Sequence, residues 1–200
     1  MYKFAANVLK GLLSMSRRIK VYDKENVPKS GGYVIACTHT GWIDILWLGI
    51  SVLPTELHFM AKKELFQNSF LRWLMKKLNA FPVNRENPGP SAIKIPRKLI
   101  KEGKVVGIFP SGTRTSDEVP LKRGAVTIAS VAKAPLVPAA YIGPNNFSDL
   151  LKRKKPAIIF GKPIEVPKDQ PKNMQVEWMM QELEKEMKNL HTRLIEIRRE

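Results

Sequence analysis

From Gly31 onward, apolar runs short enough to be strands alternate with helix-length segments, and few architectures can absorb that alternation. Tyr33, Val34, Ile35, Ala36 and Cys37 make one such run, and residues 43–50 continue with helical spacing. His58, Phe59, Met60 and Ala61 lead into an apolar and basic stretch over 68–78. Residues 91–102 read as a helix kinked at Pro96, followed by a strand of Val105, Val106, Gly107, Ile108 and Phe109. A further helix over 124–133 precedes strands at 136–142 and 157–160, with Pro, Gly and Asn at the junctions. The class is α/β.

At 200 residues and 44% hydrophobic content the chain can bury one core without staples. Residues 1–18 stand apart as a basic amphipathic helix. Phe4, Val8, Leu12 and Met15 share one ridge, Leu9 and Leu13 lie beside it, and Lys3, Lys10 and Arg17 recur on the other side. Such a helix either docks on the core or lies with its apolar face in lipid, and the basic ridge favours lipid. Residues 19–200 form the second region, one unit without repeat or low-complexity tract, in which 163–171 is a hinge before the last helix. That helix repeats Val176, Met179, Leu183, Met187, Leu190, Leu194 and Ile197 on one stripe, the spacing of core packing.

Lys and Arg number 34 against 18 acids, a net charge of +16, so the partner is expected to be anionic. Nucleic acid and an anionic lipid surface attract such a chain through the same screened electrostatics. No recognition helix or aromatic stacking motif is evident, so nucleic acid is not expected. One cysteine, Cys37, excludes an internal disulfide and suits a cytosolic setting. Apolar runs fall short of the roughly 18 residues a spanning helix needs, and no signal-peptide pattern is visible. His39, His58, His191 and Cys37 lack metal-ligand spacing, so no metal is expected.

Chemistry concentrates in Thr38-His39-Thr40-Gly41-Trp42-Ile43-Asp44. Five residues along a continuous helix turn two side chains about 140° apart, so His39 and Asp44 meet only if His39 lies in the entry loop and Asp44 in the first turn. Gly41 would supply the flexible corner. A carboxylate there is favoured by the helix dipole and can hold one imidazole nitrogen protonated, leaving the other to accept a proton. His39 thereby becomes a candidate general base.

The H-x-x-x-x-D pattern resembles the glycerophospholipid acyltransferase family, most closely its members that acylate 1-acyl-glycerol-3-phosphate. Three further blocks appear in the family's order. Ala61-Lys62-Lys63-Glu64-Leu65-Phe66 resembles the lysine-bearing segment, and Phe81-Pro82-Val83-Asn84-Arg85 the block ending in a phosphate-binding arginine. Phe109-Pro110-Ser111-Gly112-Thr113-Arg114 resembles F-P-E-G-T-R with Ser111 in place of the usual glutamate, and a V-P strand follows at Val137-Pro138.

The resemblance spans about residues 20 to 145 and implies a single domain with a mixed, mostly parallel sheet flanked by helices, like glycerol-3-phosphate acyltransferases. It makes 19–200 an acyltransferase domain and His39 and Asp44 its catalytic pair. Lys62, Arg85, Ser111, Gly112, Thr113 and Arg114 become substrate-binding residues. Arg guanidinium forks match phosphate oxygens, Lys62 adds a point charge, and Ser111, Gly112 and Thr113 could form an amide nest for an anion.

The implied reaction moves an acyl group from acyl-CoA or acyl-carrier protein to lysophosphatidic acid, without a cofactor. It would take place peripherally, at the cytoplasmic face of the cell membrane. Another lysophospholipid or glycerol-3-phosphate is the alternative acceptor. A serine hydrolase using Ser111 and a basic nucleic-acid-binding module are weaker competitors, since Ser111 sits in no G-x-S-x-G elbow.

Overall fold

The computed structural model describes residues 11, 19–39, 41, 43–84, 87–110, 121–146, 148–149, 152 and 155–199. Among these residues seven strands form one sheet in the order β1-β7-β6-β2-β5-β3-β4. They are β1 Lys20–Tyr22, β2 Val34–Cys37, β3 Leu57–Lys62, β4 Ala80–Val83, β5 Val105–Ile108, β6 Leu136–Ile142 and β7 Ala157–Phe160. Strands β6, β2, β5, β3 and β4 run parallel, and β7 turns antiparallel to β6 with β1 parallel beside it. Strands β2 and β5 are buried at every position, as central parallel strands covered on both faces must be.

Among the described residues five helices lie against the sheet: α1 Asp44–Ser51, α2 Ser69–Lys77, α3 Ser91–Lys101, α4 Gly124–Ala132 and α5 Lys172–Arg199. One face packs Ile35 and Cys37 of β2, with Tyr33 just before the strand, against Trp47, Leu48 and Ile50 of α1. The other packs Val34 and Ala36 against Val126 and Ala129 of α4 and Met179 and Leu183 of α5. The even and odd residues of one strand thus serve two cores, the period of two expected of a strand. Leu190 and Leu194 extend the α5 stripe over β7, so the periodicity of the last helix is that of core packing.

Helix faces follow from connection handedness. The step from β2 to β3 and the step from β5 to β6 cross the sheet in opposite directions. Right-handed crossovers then send α1 and α4 to opposite faces, and the crevice opens where the chain leaves neighbouring β2 and β5.

Two strands are absent from the sequence reading, and both are edges. β1 is three residues, Lys20 exposed and Val21 and Tyr22 half-buried, and β4 contains Pro82. A proline cannot donate to a ladder and is tolerated on an edge, where no further strand asks for its N–H. Pro138 lies in central β6, where its nitrogen faces an interrupted stretch of the β7 side: Ala139 pairs with Phe160, Leu136 bridges Ile164, and Gly161 N–H donates to the Pro138 carbonyl at 2.8 Å. The same bridge ties the expected hinge over 163–171 to the sheet. Helix α3 continues on both sides of Pro96. The amphipathic helix expected over 1–18 lies outside the described residues except for Gly11. Among the described residues no helix is long and apolar enough to cross a membrane.

Candidate active site

β2 ends at Cys37 and α1 begins at Asp44, so the six intervening residues carry His39 in the entry turn and Asp44 at the first helical position, as the spacing requires. His39 Nδ1 lies 3.1 Å from each oxygen of Asp44. The pair is withdrawn from water, Asp44 being fully buried and His39 only 5% exposed. A carboxylate can only accept, so Nδ1 carries the proton and Nε2 keeps the lone pair.

The Gly41 amide donates to Asp44 Oδ2 at 2.9 Å, holding the carboxylate from the loop side. Gly41 was expected as a conformational corner, but its φ is not positive; the position needs space instead. A Cβ there would lie 2.6 Å from Asn145 Cα and closer still to the Asn145 carbonyl oxygen. The loop after β6 therefore presses directly on the turn between His39 and Asp44.

That loop is itself held. Asn145 N–H donates to Asp149 Oδ2 at 3.1 Å, and Asp149 N–H donates to Asn146 Oδ1 at 2.9 Å. Tyr141 hydroxyl donates to the Pro144 carbonyl at 3.0 Å. Thr38 extends the β2–β6 ladder by one rung through its side chain, accepting from Tyr141 N–H at 2.8 Å and donating back to the Tyr141 carbonyl at 3.4 Å. Across the crevice Phe109, just past the end of β5, sets its ring 4.6 Å from the His39 ring at 35°. Phe109 is marked in the sequence only as the first residue of the F-P-x-G-T-R block, and Tyr141 and Asn145 carry no site signal there; their contacts around His39 and Gly41 come from the tertiary structure.

The low dielectric here shows in neighbouring groups. Burial pushes the Cys37 thiol well up, and the negative charge of Asp44 adds to it while a bond to Thr38 opposes. Tyr141 is raised for the same reasons, burial first and the Asp44 charge second. Both therefore stay protonated beside the dyad.

Lys62 ends β3 and is solvent-exposed. β3 lies two strands from β2 across β5, roughly 10 Å along the sheet, and its C-terminal end shares the edge that carries His39. Parallel β4 ends at Val83 on that edge, two residues before Arg85. Arg85, Ser111, Gly112, Thr113 and Arg114 lie outside the described residues. Among the described residues no group of three or more His, Cys, Asp or Glu side chains is placed to hold a metal ion.

The acyltransferase family model matches residues 18–142, which include β1 to β6 and the His39–Asp44 turn. The chain belongs to the acyltransferase family. Within that family it is 62% identical over 164 residues to the 1-acyl-sn-glycerol-3-phosphate acyltransferase of Bacillus subtilis (strain 168), covering 82% of each chain. The protein of the same name from Streptococcus pneumoniae is 35% identical across 78% of this chain and 59% of its own length. The crystal structure of the 1-acyl-sn-glycerophosphate (LPA) acyltransferase PlsC from Thermotoga maritima matches with a TM-score of 0.64, covering 92% of this chain and 79% of that one. At 21% identity that likeness is one of fold.

Proposed function

We propose that the chain transfers a fatty acyl group from a thioester to the sn-2 hydroxyl of 1-acyl-glycerol-3-phosphate, giving phosphatidic acid. The observation that carries this reading is the buried His39–Asp44 pair at the mouth of the sheet, with Nδ1 3.1 Å from both carboxylate oxygens. The names of the Bacillus and Streptococcus relatives support the acceptor.

In this reading Nε2 of His39 takes the hydroxyl proton as the glycerol oxygen attacks the thioester carbonyl. The new C–O bond forms, the carbonyl π-electrons move onto oxygen, and their return breaks the C–S bond. The proton on Nε2 then passes to the leaving thiolate, which restores His39. Asp44 holds the ring and offsets the imidazolium charge while it exists. Lys62, Arg85 and Arg114 receive the acceptor's phosphate, the two arginines by forked hydrogen bonds. Ser111, Gly112 and Thr113 supply amides to developing anionic oxygen.

Acyl-CoA or acyl-carrier protein is the donor, and no cofactor takes part. The enzyme works peripherally at the cytoplasmic face of the cell membrane, its basic surface on anionic lipid and residues 1–18 in the interface.

Purified protein given lysophosphatidic acid and each thioester in turn tests the reaction. Formation of phosphatidic acid that disappears in His39→Ala supports it. Thioester hydrolysis with no acyl transfer, or equal use of glycerol-3-phosphate, would replace the proposed acceptor step.

A further inference from the structure

The segment that leaves the end of β3 folds as a 3₁₀ turn, Lys63–Phe66, and then helix α2. Asn68 caps the helix, its side chain accepting from the amides of Phe70 and Leu71. Met75 and Leu78 turn inward with Phe66 onto a small core of Phe59, Ala61 and Ala80. The apolar character does not stop where that core stops. Phe70 is 67% exposed, Trp73 54% and Leu65 39%.

Residues three apart on a helix differ by about 60°, so Phe70 and Trp73 share one strip, and their rings stack at 6.2 Å. Lys77 Nζ stands 5.8 Å from the Trp73 ring centre. Arg72 and Lys76 are exposed beside the strip, and residues 62–77 hold five cations against one acid, Glu64.

We infer that this face of α2, with Leu65 at its foot, is a docking surface for an anionic lipid bilayer, formed by residues other than 1–18. The inference rests on the interfacial reading above. An exposed Phe and Trp raise the free energy of the protein in water and lower it at a lipid headgroup boundary, where amphipathic rings collect. Flanking lysines and arginines then meet anionic headgroups while their stems cover apolar surface.

Position gives the surface its use. Lys62, the first residue before it, stands on the edge that carries His39. Ile45, the residue after Asp44, packs on the same small core as Phe66 and Met75. The surface is therefore one packing layer from the dyad, and docking it would bring an amphiphilic acceptor to the crevice with its acyl chain still in the bilayer.

The test uses the full chain and sucrose-loaded vesicles of phosphatidylcholine, alone or with one quarter phosphatidylglycerol. Phe70→Ser/Trp73→Ser removes the strip, and Met174→Ser/Trp178→Ser serves as control, because Met174 and Trp178 are also exposed but lie on α5, across the sheet. Circular dichroism establishes that both variants fold.

The strip variant is expected to lose at least about tenfold in partition to the anionic vesicles, with the control unchanged. Its turnover of a short-chain, monomeric lysophosphatidic acid should equal the parent's, while turnover of vesicle-embedded acceptor falls. In the parent, brominated lipid should quench Trp73 emission, read as the difference from Trp73→Phe. Parent-like partition of the strip variant, or an equal loss in the control, would overturn the inference alone. So would weakened binding of an acidic acyl-carrier protein with vesicle binding intact. A parent that binds neither vesicle type would overturn the interfacial reading as well.

Discussion

Gly41 and His39 bind the same carboxylate from two sides: the Gly41 amide donates to Asp44 Oδ2 at 2.9 Å, and His39 Nδ1 lies 3.1 Å from both Asp44 oxygens. Asp44 is thereby fixed by the backbone of the turn it helps to shape, and the imidazole inherits that orientation.

Asp44→Asn keeps size and burial but presents an amide that can donate to Nδ1. The ring would then hold its proton on Nε2, where the hydroxyl proton must arrive. Turnover should fall ~10²–10⁴-fold, comparable to His39→Ala, with the fold kept in both. Steady-state rates beside thermal melts check this, and a folded Asp44→Asn enzyme with near-parental turnover would remove the orienting role.

Gly41→Ala places a methyl against the Asn145 backbone, so either the turn or the loop after β6 must move. A cost of about 1–3 kcal/mol in stability is expected, the range for overpacking a tight contact. Activity should fall more than unfolding explains, because the moving amide is the one that holds Asp44. Denaturant melts and turnover at a temperature well below the midpoint separate the two effects.

Cys37 is buried, and both desolvation and the charge of Asp44 keep its thiol protonated. Native protein should react with a thiol reagent at least ~10²-fold more slowly than denatured protein, which should release one equivalent from its single cysteine. Rapid native labelling would show that the β2 end opens readily.

His58 is lowered from its ordinary 6.5 first by burial and then by the Lys104 ammonium, with weaker opposing interactions from Val105 and Glu56. The unfolded chain therefore binds this proton more readily than the folded one, and stability contributed by neutral His58 is present above 6.5 and lost as pH falls below it toward the folded value. His58→Gln should flatten the melting temperature between about pH 7 and about pH 5. An unchanged slope would assign the pH dependence to other groups.

The alternation of apolar runs and helical stripes was enough to read an α/β chain, because period and length are local properties of a strand or a helix. It located β2, β3, β5, β6, β7 and the core stripe of α5. The five-residue step from His39 to Asp44 likewise predicted a loop histidine beside a first-turn carboxylate, since helical geometry permits no other meeting.

Edge strands left little trace. β1 is short and at most half-buried and β4 carries Pro82, so neither shows the unbroken apolar run that two-sided burial imposes. Strand order was equally hidden: β5 entering between β2 and β3 is what brings Phe109 to His39, two residues 70 positions apart whose contact no local period records. The press of Asn145 on Gly41 belongs to the same class. A side chain's own periodicity records how deeply it is buried, but which partner fills the space beside it is decided only when distant segments compete for one volume, and that competition is settled by the packed sheet.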